Sequence, residues 1–387
     1  MSKLLRLLAA LAVLAVVCFG VAACGGGDSS SSSSSEPANE SSETSEAPEE
    51  TEVSEEAPPA EAEGSEAELP TEPVAKLKPR KVGYIVFAEA APAEARAANA
   101  AVAAGKALGW DVNVRDAGGS PEKVNAAIQA FASEKAEALM IASIGVEGNL
   151  RAAEQLKDAG APIIVVAGEI PKNPIYNAQF SEDEYEMGKI LAEKIVEDYP
   201  DGAKIGDLTL SVSPATKTRE KALQDVVGKS DNAEVVASSP FDLTDPVVST
   251  QEAVSNMLLA HPDINAIWSV TDLNTTPAVA ALETKRSDAK VWSYFSDPAT
   301  VEEMHAGKQV GGVVDLNLAV TSLTAIDQLV NFFEKEEPID PNALTTDALE
   351  YKIVDAENLP PEGEEIYPLA QTLQPFSEKW AKEYPLK

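Results

Sequence analysis

Residues 81–110 read KVGYIVFAEAAPAEARAANAAVAAGKALGW, and the order of elements in that stretch decides the fold. Residues 81–87 form a short apolar run, long enough for one strand and too short for a helix. An Ala-rich stretch over 93–108 follows, and Gly109 stops it as a helix. Residues 110–116 then alternate as a second strand. Outward from there, 121–133 reads as a helix, with Ser120 as its N-cap and Pro121 at the first helical position. Residues 138–142 (ALMIA) are a buried strand, 147–159 a helix ended by Gly160, and 162–166 (PIIVV) another strand. Apolar runs alternating with helices imply a parallel sheet covered on both faces.

The pattern restarts after a gap. Helices are expected over 184–198, 218–227, 247–260, 276–284 and 300–306. Strands are expected over 204–209, 232–237, 266–270, 290–294 and 310–314, and a long helix over 319–335. Right-handed crossovers make each block a doubly wound α/β unit. The expectation is an α/β fold of two similar parallel-sheet lobes with a cleft between them.

Composition narrows the function. The chain of 387 residues has 64 Asp and Glu against 30 Lys and Arg, a formal charge of −34. Such a surface repels phosphate backbones, so no nucleic-acid partner is expected. Acidity alone does not identify a cationic ligand. The only cysteines, Cys18 and Cys24, lie near the N-terminus, and the only histidines are His261 and His305. No downstream thiol remains for a disulfide, a metal or a nucleophile. No cofactor and no metal are expected.

Residues 1–23 place Lys3 and Arg6 before an apolar run that ends in small residues, the form of a secretion signal. The run is short for a membrane span. Val21-Ala22-Ala23-Cys24 resembles a bacterial lipobox, with Val21 where Leu is commoner, which implies lipidation of Cys24. The alternative is an ordinary secretion signal in which Cys24 is incidental. Residues 24–78 then read as a disordered tether of Ser, Glu and Pro. Between Gly25 and Pro73 there are fourteen Glu, one Asp and no Lys or Arg. Some fifty such residues span roughly 40 Å, enough to hold a folded body off a membrane.

Three segments of the body resemble the ribose-binding type of periplasmic binding protein (the type I solute-binding fold). One is Leu258-Leu259-Ala260-His261-Pro262-Asp263-Ile264-Asn265-Ala266-Ile267-Trp268 followed by Thr271-Asp272. A second is Thr216-Lys217-Thr218-Arg219-Glu220, with Ala222 where Gly is usual. The third is the opening unit 81–110, with Pro92 after the strand and Leu108-Gly109-Trp110 closing the helix. The resemblance implies two lobes joined by a three-segment hinge, with crossings near Phe180–Asp183, Val314–Asn317 and Thr345–Leu349. It places 79–181 and 318–346 in the first lobe, and 182–317 and 347–387 in the second. The tail 369–384, with Phe376 and Trp380, reads as a short packing helix.

Open α/β sheets bind ligands beyond the C-terminal ends of their strands. Candidate ligand groups there are Glu89, Ser143, Glu169, Arg219, Phe241, Thr271, Asp272, Ser296, Asp297, Asp315 and Asn317. Each has a structural alternative: Arg219 as the partner of a neighbouring carboxylate, Asp272 and Asp297 as helix caps, Glu89 and Glu169 as solvated loop residues. Trp268 reads as core packing, and His261 as a helix end. Sugar-binding members carry Asn and aromatics where this chain has Ala91, Ala93 and Glu94, and Asp-Arg where it has Ala167-Gly168. A hexose would then need stacking from elsewhere, such as Tyr294 or Phe241.

The resemblance implies a monomeric, lipid-anchored solute-binding protein on the extracytoplasmic side of the cell membrane. It would capture a small polar ligand, a sugar, polyol or related compound, and deliver it to an ABC-type permease. The competing classes are a sensor or chemoreceptor component, an enzyme, and a structural envelope lipoprotein. The chain lacks G-x-S-x-G, G-x-x-x-x-G-K-[ST], H-E-x-x-H and a G-x-G-x-x-G after the first strand, so no catalytic activity is expected.

Overall fold

The computed structural model describes residues 67–345 and 348–387. The expected signal segment, Cys24 and most of the tether lie outside these residues.

The first sheet is built from β1 (Lys81–Val86), β2 (Asp111–Asp116), β3 (Ala138–Ala142), β4 (Ile163–Val166) and β5 (Ala178–Phe180). All pairings are parallel, in the order β2-β1-β3-β4-β5. The connecting helices are α1 (Pro92–Leu108), α2 (Pro121–Glu134) and α3 (Leu150–Asp158). Alternation along β3 sends Leu139 and Ile141 to the apolar layer shared with Ile128 and Leu156, and Met140 and Ala142 to the layer under α1. Both faces are therefore dry, as the unbroken apolar runs require.

The second sheet follows α4 (Glu184–Asp198) and contains β6 (Ala203–Thr209), β7 (Ala233–Pro240), β8 (Ala266–Ser269), β9 (Lys290–Tyr294) and β10 (Val310–Asp315). Its helices are α5 (Pro214–Val227), α6 (Pro246–Ala260), α7 (Thr275–Lys285) and α8 (Pro298–His305). After the long α9 (Ala319–Lys335), a short β11 (Lys352–Val354) adds antiparallel to β10, giving β11-β10-β9-β8-β6-β7. Trp268, Trp292 and Tyr294 fill the core of this lobe, Trp268 meeting Tyr294 edge to face at 5.7 Å.

The chain leaves the first sheet at Phe180 and enters the second lobe with α4. It leaves β10 at Asp315 and returns with α9, which packs on α1, β4 and β5. The crossing expected at Thr345–Leu349 includes 346–347, which lie outside the described residues.

The structure differs from the sequence expectation in four places. Helix α5 starts at Pro214, so Arg219 sits in its second turn and not at its start. β5 and β11 were not anticipated; at three residues each they leave no period to read. The C-terminal helix α10 (Leu369–Glu383), assigned by resemblance to the second lobe, packs on α1 and α9 of the first. The reason is local: Asp327 of α9 accepts the Trp380 indole N–H at 2.9 Å and pairs with Lys379 at 2.7 Å. Finally, the end of the expected tether is docked. Ala75 is buried, Val74 N–H donates to Ala107 and Lys76 N–H to Tyr384, because Val74, Ala75 and Leu77 supply apolar surface that the acidic stretch lacks.

Candidate ligand-binding cleft

The C-terminal strand ends of the two sheets face one another across a cleft. Three residues that follow strands there hold left-handed backbone without being glycine: Ser143 (φ 61°), Ala167 (φ 46°) and Phe295 (φ 60°). Among the described residues the other three of this kind, Lys135, Arg286 and Glu336, are ordinary helix C-caps. Left-handed backbone strains an L-residue by about 1 kcal/mol or more, and such strain gathers where function demands a particular loop shape. All three strained residues line one small inner chamber of about 60 Å³.

Arg219 dominates that chamber. Its placement depends on Gly188 of α4, where a Cβ would sit 2.7 Å from the Arg219 carbonyl oxygen and 2.8 Å from Ala222 Cβ. The close helix approach buries Arg219 almost completely. Its Nε donates to Glu184 at 2.5 Å and its Nη1 to the Val270 carbonyl at 2.9 Å, while Glu182 lies 3.7 Å from Nη2. The guanidinium also covers the Tyr294 ring at 4.3 Å. Burial and the neighbouring Glu184 both raise the Glu182 carboxyl above its ordinary range, with Arg219 opposing them.

Glu94 and Asp272 complete the chamber from opposite lobes. Burial pushes the Glu94 carboxyl up to about 8, opposed by the Ala88 N–H it accepts at 3.0 Å. Glu94 is half-buried at the cleft. Burial likewise pushes Asp272 up to about 6, against the Ala93 N–H that it accepts at 2.8 Å. A second bridge joins the lobes where Arg96 of α1 meets Asp315 at 3.2 Å. Ser296 donates a further hydrogen bond to Asp315.

Beyond Ala93 and Phe295, which line both spaces, lies an outer chamber of about 880 Å³. Helix α1, helix α8 and residues 362–367 with Leu369 wall it in. His305 meets the Pro360 carbonyl, just ahead of that last segment, at 2.9 Å.

The structure thus brings Ser143, Arg219, Thr271 and Asp272 to the inner chamber and Ser296 and Asp297 to the outer one, with Asp315 bridging nearby. Asp297 also caps α8, accepting from the Ala299 and Thr300 N–H groups at 3.0 and 3.2 Å. The other expected residues line neither chamber. Glu89 and Glu169 are exposed, Phe241 is buried in the core, and Asn317 donates to Thr372 of α10 at 2.9 Å. No free stacking face comes from Tyr294, which Arg219 covers, or from Phe241; the aromatic lining both chambers is Phe295.

Sequence reading missed Glu182, Glu184, Phe295 and Arg96 as cleft residues. Glu182 falls in the expected crossing segment and Glu184 opens the expected helix 184–198, and nothing local shows that Glu184 turns toward an arginine thirty-five residues on.

The comparisons agree with this architecture. A model of the periplasmic binding protein domain matches residues 82–336. The ribose import binding protein of Escherichia coli is 25% identical over 211 residues, covering 54% of this chain and 70% of the relative. The D-apiose import binding protein of Actinobacillus succinogenes is 24% identical, covering 52% and 66%. Among solved structures, a glucose-galactose binding protein from Geobacillus stearothermophilus superposes with a TM-score of 0.65 at 17% identity, over 73% of this chain and all of that one. A solute binding protein from Mycobacterium smegmatis with bound glycerol gives 0.65 at 21%, over 75% and 99%. These structural likenesses show a shared fold. With two parallel-sheet lobes, an interlobe cleft and a family match over most of its folded body, the chain belongs to the periplasmic binding proteins of type I.

Proposed function

We propose that this protein is the solute-binding component of an ABC-type importer, lipidated at Cys24 and held by its tether on the extracytoplasmic face of the membrane. It captures a small polar solute between its lobes and presents the closed form to a permease. Ser143, Arg219, Thr271, Asp272, Ser296 and Asp297 are the proposed ligand-facing residues, with Asp315 as the bridge beside them. The first lobe comprises residues 79–181 with α9 and α10, and the second comprises 182–317 with β11.

The observation that carries this reading is the gathering of strained strand-end residues from both sheets on one interlobe chamber. Lobe closure is useful when a ligand makes contacts in the closed state that the open state lacks. Relatives named for ribose and D-apiose import support a solute of sugar size.

A melting-temperature screen of purified protein against sugars, polyols, amino compounds and nucleosides tests the reading. A ligand at one hundred times its dissociation constant adds about 2.7 kcal/mol of stability. Absence of any shift, with refolded protein used to exclude a retained ligand, contradicts a solute-binding role.

A further inference from the structure

We propose that the solute carries a positive charge, an ammonium or guanidinium head seated in the inner chamber with its body in the outer one. This rests on the reading of the cleft as a solute site and names the class of solute.

The inner chamber is lined by four carboxyl groups, Glu94, Glu182, Glu184 and Asp272, against a single guanidinium, Arg219. Arg219 is already committed to Glu184, Glu182 and the Val270 carbonyl. Glu184 is fully buried, and its Oε1 has no hydrogen-bond partner. Three of the four hydroxyl side chains that line the chamber are engaged elsewhere. Ser143 donates to the Ala167 carbonyl, Thr216 to the Leu210 carbonyl and Thr271 to Asn274. Glu184 Oε1 is thus a buried acceptor without a donor, which is destabilising by about 1–3 kcal/mol. A polyol brings donors and acceptors together and leaves the charge imbalance in place. A cationic head brings donors alone and supplies the absent countercharge.

The outer chamber has the same sign. Asp297, Glu302, Glu362, Glu364 and Glu365 line it, while its Arg96 is engaged by Asp315. The two spaces differ in size as this ligand needs. The inner space of about 60 Å³ suits an ammonium head or roughly two waters. The outer 880 Å³ leaves room for a larger body.

The titration of the site follows. Glu94 faces Ser143 and Tyr84 from its own lobe, Glu182 and Glu184 from the crossing segment, and Asp272 and Arg219 from the second lobe. Burial and like charge hold Glu94 and Glu182 in the protonated form near neutrality. A seated cation draws those protons off, so binding releases protons and tightens as pH rises.

Calorimetry on the purified protein tests this with putrescine and agmatine against 1,4-butanediol, ribose, glucose and myo-inositol, at pH 6 and 8.5. The expected result is at least tenfold tighter binding of an amine than of its neutral counterpart, with affinity rising with pH and a buffer-dependent heat of proton release. Glu184→Gln is expected to weaken amine binding at least tenfold. Because that change also loosens Arg219, Glu94→Gln provides the second variant. It matches the protonated acid in size, keeps the fold and removes most of the pH dependence. Binding of a neutral sugar or polyol without amine binding overturns this inference and leaves the solute-binding reading standing. Absence of binding across the whole panel overturns both.

Discussion

Asp272 of the second lobe caps helix α1 of the first: its Oδ2 accepts the Ala93 N–H at 2.8 Å. The residue at the N-cap position of α1, Ala91, has no side chain able to do so. Helix N-termini carry unsatisfied N–H groups and a positive end of the helix dipole, so a carboxylate there is stabilising. The cap spans the two lobes, and the Arg96–Asp315 bridge ties α1 to the end of β10 beside it. The closed cleft is thus held by contacts of the protein itself, and a ligand adds to them.

Replacing the cap shifts the lobes toward the open form. Loss of an N-cap side chain costs about 1 kcal/mol, close to a fivefold change in the open-to-closed ratio. Asp272→Ala is expected to give a larger radius of gyration by small-angle scattering, and Asp272→Asn, which keeps an acceptor, a smaller increase. Identical scattering from parent and Asp272→Ala contradicts the cap as a closing contact.

Stability should fall as pH rises through the range set by Glu94. Burial lifts its carboxyl from 4.5 to about 8, so between those values the folded chain holds a proton that the unfolded chain has lost. Stability from this group is therefore greatest at the acid end of the window and declines toward pH 8. Glu94→Gln should flatten this slope and exceed the parent at the alkaline end by on the order of 2 kcal/mol. Urea unfolding across that range gives the comparison, and parallel curves for the two proteins contradict the assignment.

Removing Arg219 strands Glu184 and Glu182 in a dry site. Breaking a buried pair from one side costs about 3–5 kcal/mol. Arg219→Ala should therefore lower the urea midpoint strongly. Arg219→Lys should restore only part of the loss, since an ammonium lacks the planar fork that serves Glu184 and the Val270 carbonyl together. A full restoration by Lys argues for charge alone.

Helix α10 should be required for a stable first lobe. Trp380 is wholly buried against α9, with its indole N–H on Asp327 at 2.9 Å. Trp380→Ala is expected to cost about 3–5 kcal/mol. Trp380→Phe, which keeps ring volume and loses the donor, should cost roughly 1–3 kcal/mol. Thermal unfolding of both variants orders them, and equal melting temperatures for parent and Trp380→Ala contradict the docking of α10.

Cys24→Ala should release the protein from the membrane fraction. A lipid chain contributes about 0.8 kcal/mol per buried methylene, and the acidic tether offers no electrostatic substitute. Fractionation of cells producing each form is the check, and retention of the variant on the membrane contradicts lipid anchoring.

Much of the fold was legible because α/β alternation is a local signal. The strands Ala138–Ala142 and Lys290–Tyr294 and the helices Glu184–Asp198 and Ala319–Lys335 stand where the apolar runs and periodicity put them. What stayed hidden is long-range. Asp272 reads as a cap for the turn beside it, yet it caps a helix 179 residues earlier. The tail reads as an amphipathic helix, but its pattern says nothing about which lobe receives it. Glu94 looked like a loss from a sugar site; its meaning depends on Glu182, Glu184 and Arg219, which only folding brings around it.

A solute that enters the interlobe chamber should close the lobes on it. Hydrogen exchange of the purified protein, with and without the panel compound that most raises its melting temperature, reads that closure. Slower exchange is expected at Ala93 and Glu94 in the first turn of α1, and in the loops holding Gly168, Asp272 and Phe295. Unchanged exchange at those sites, with protection elsewhere on the surface, would contradict it.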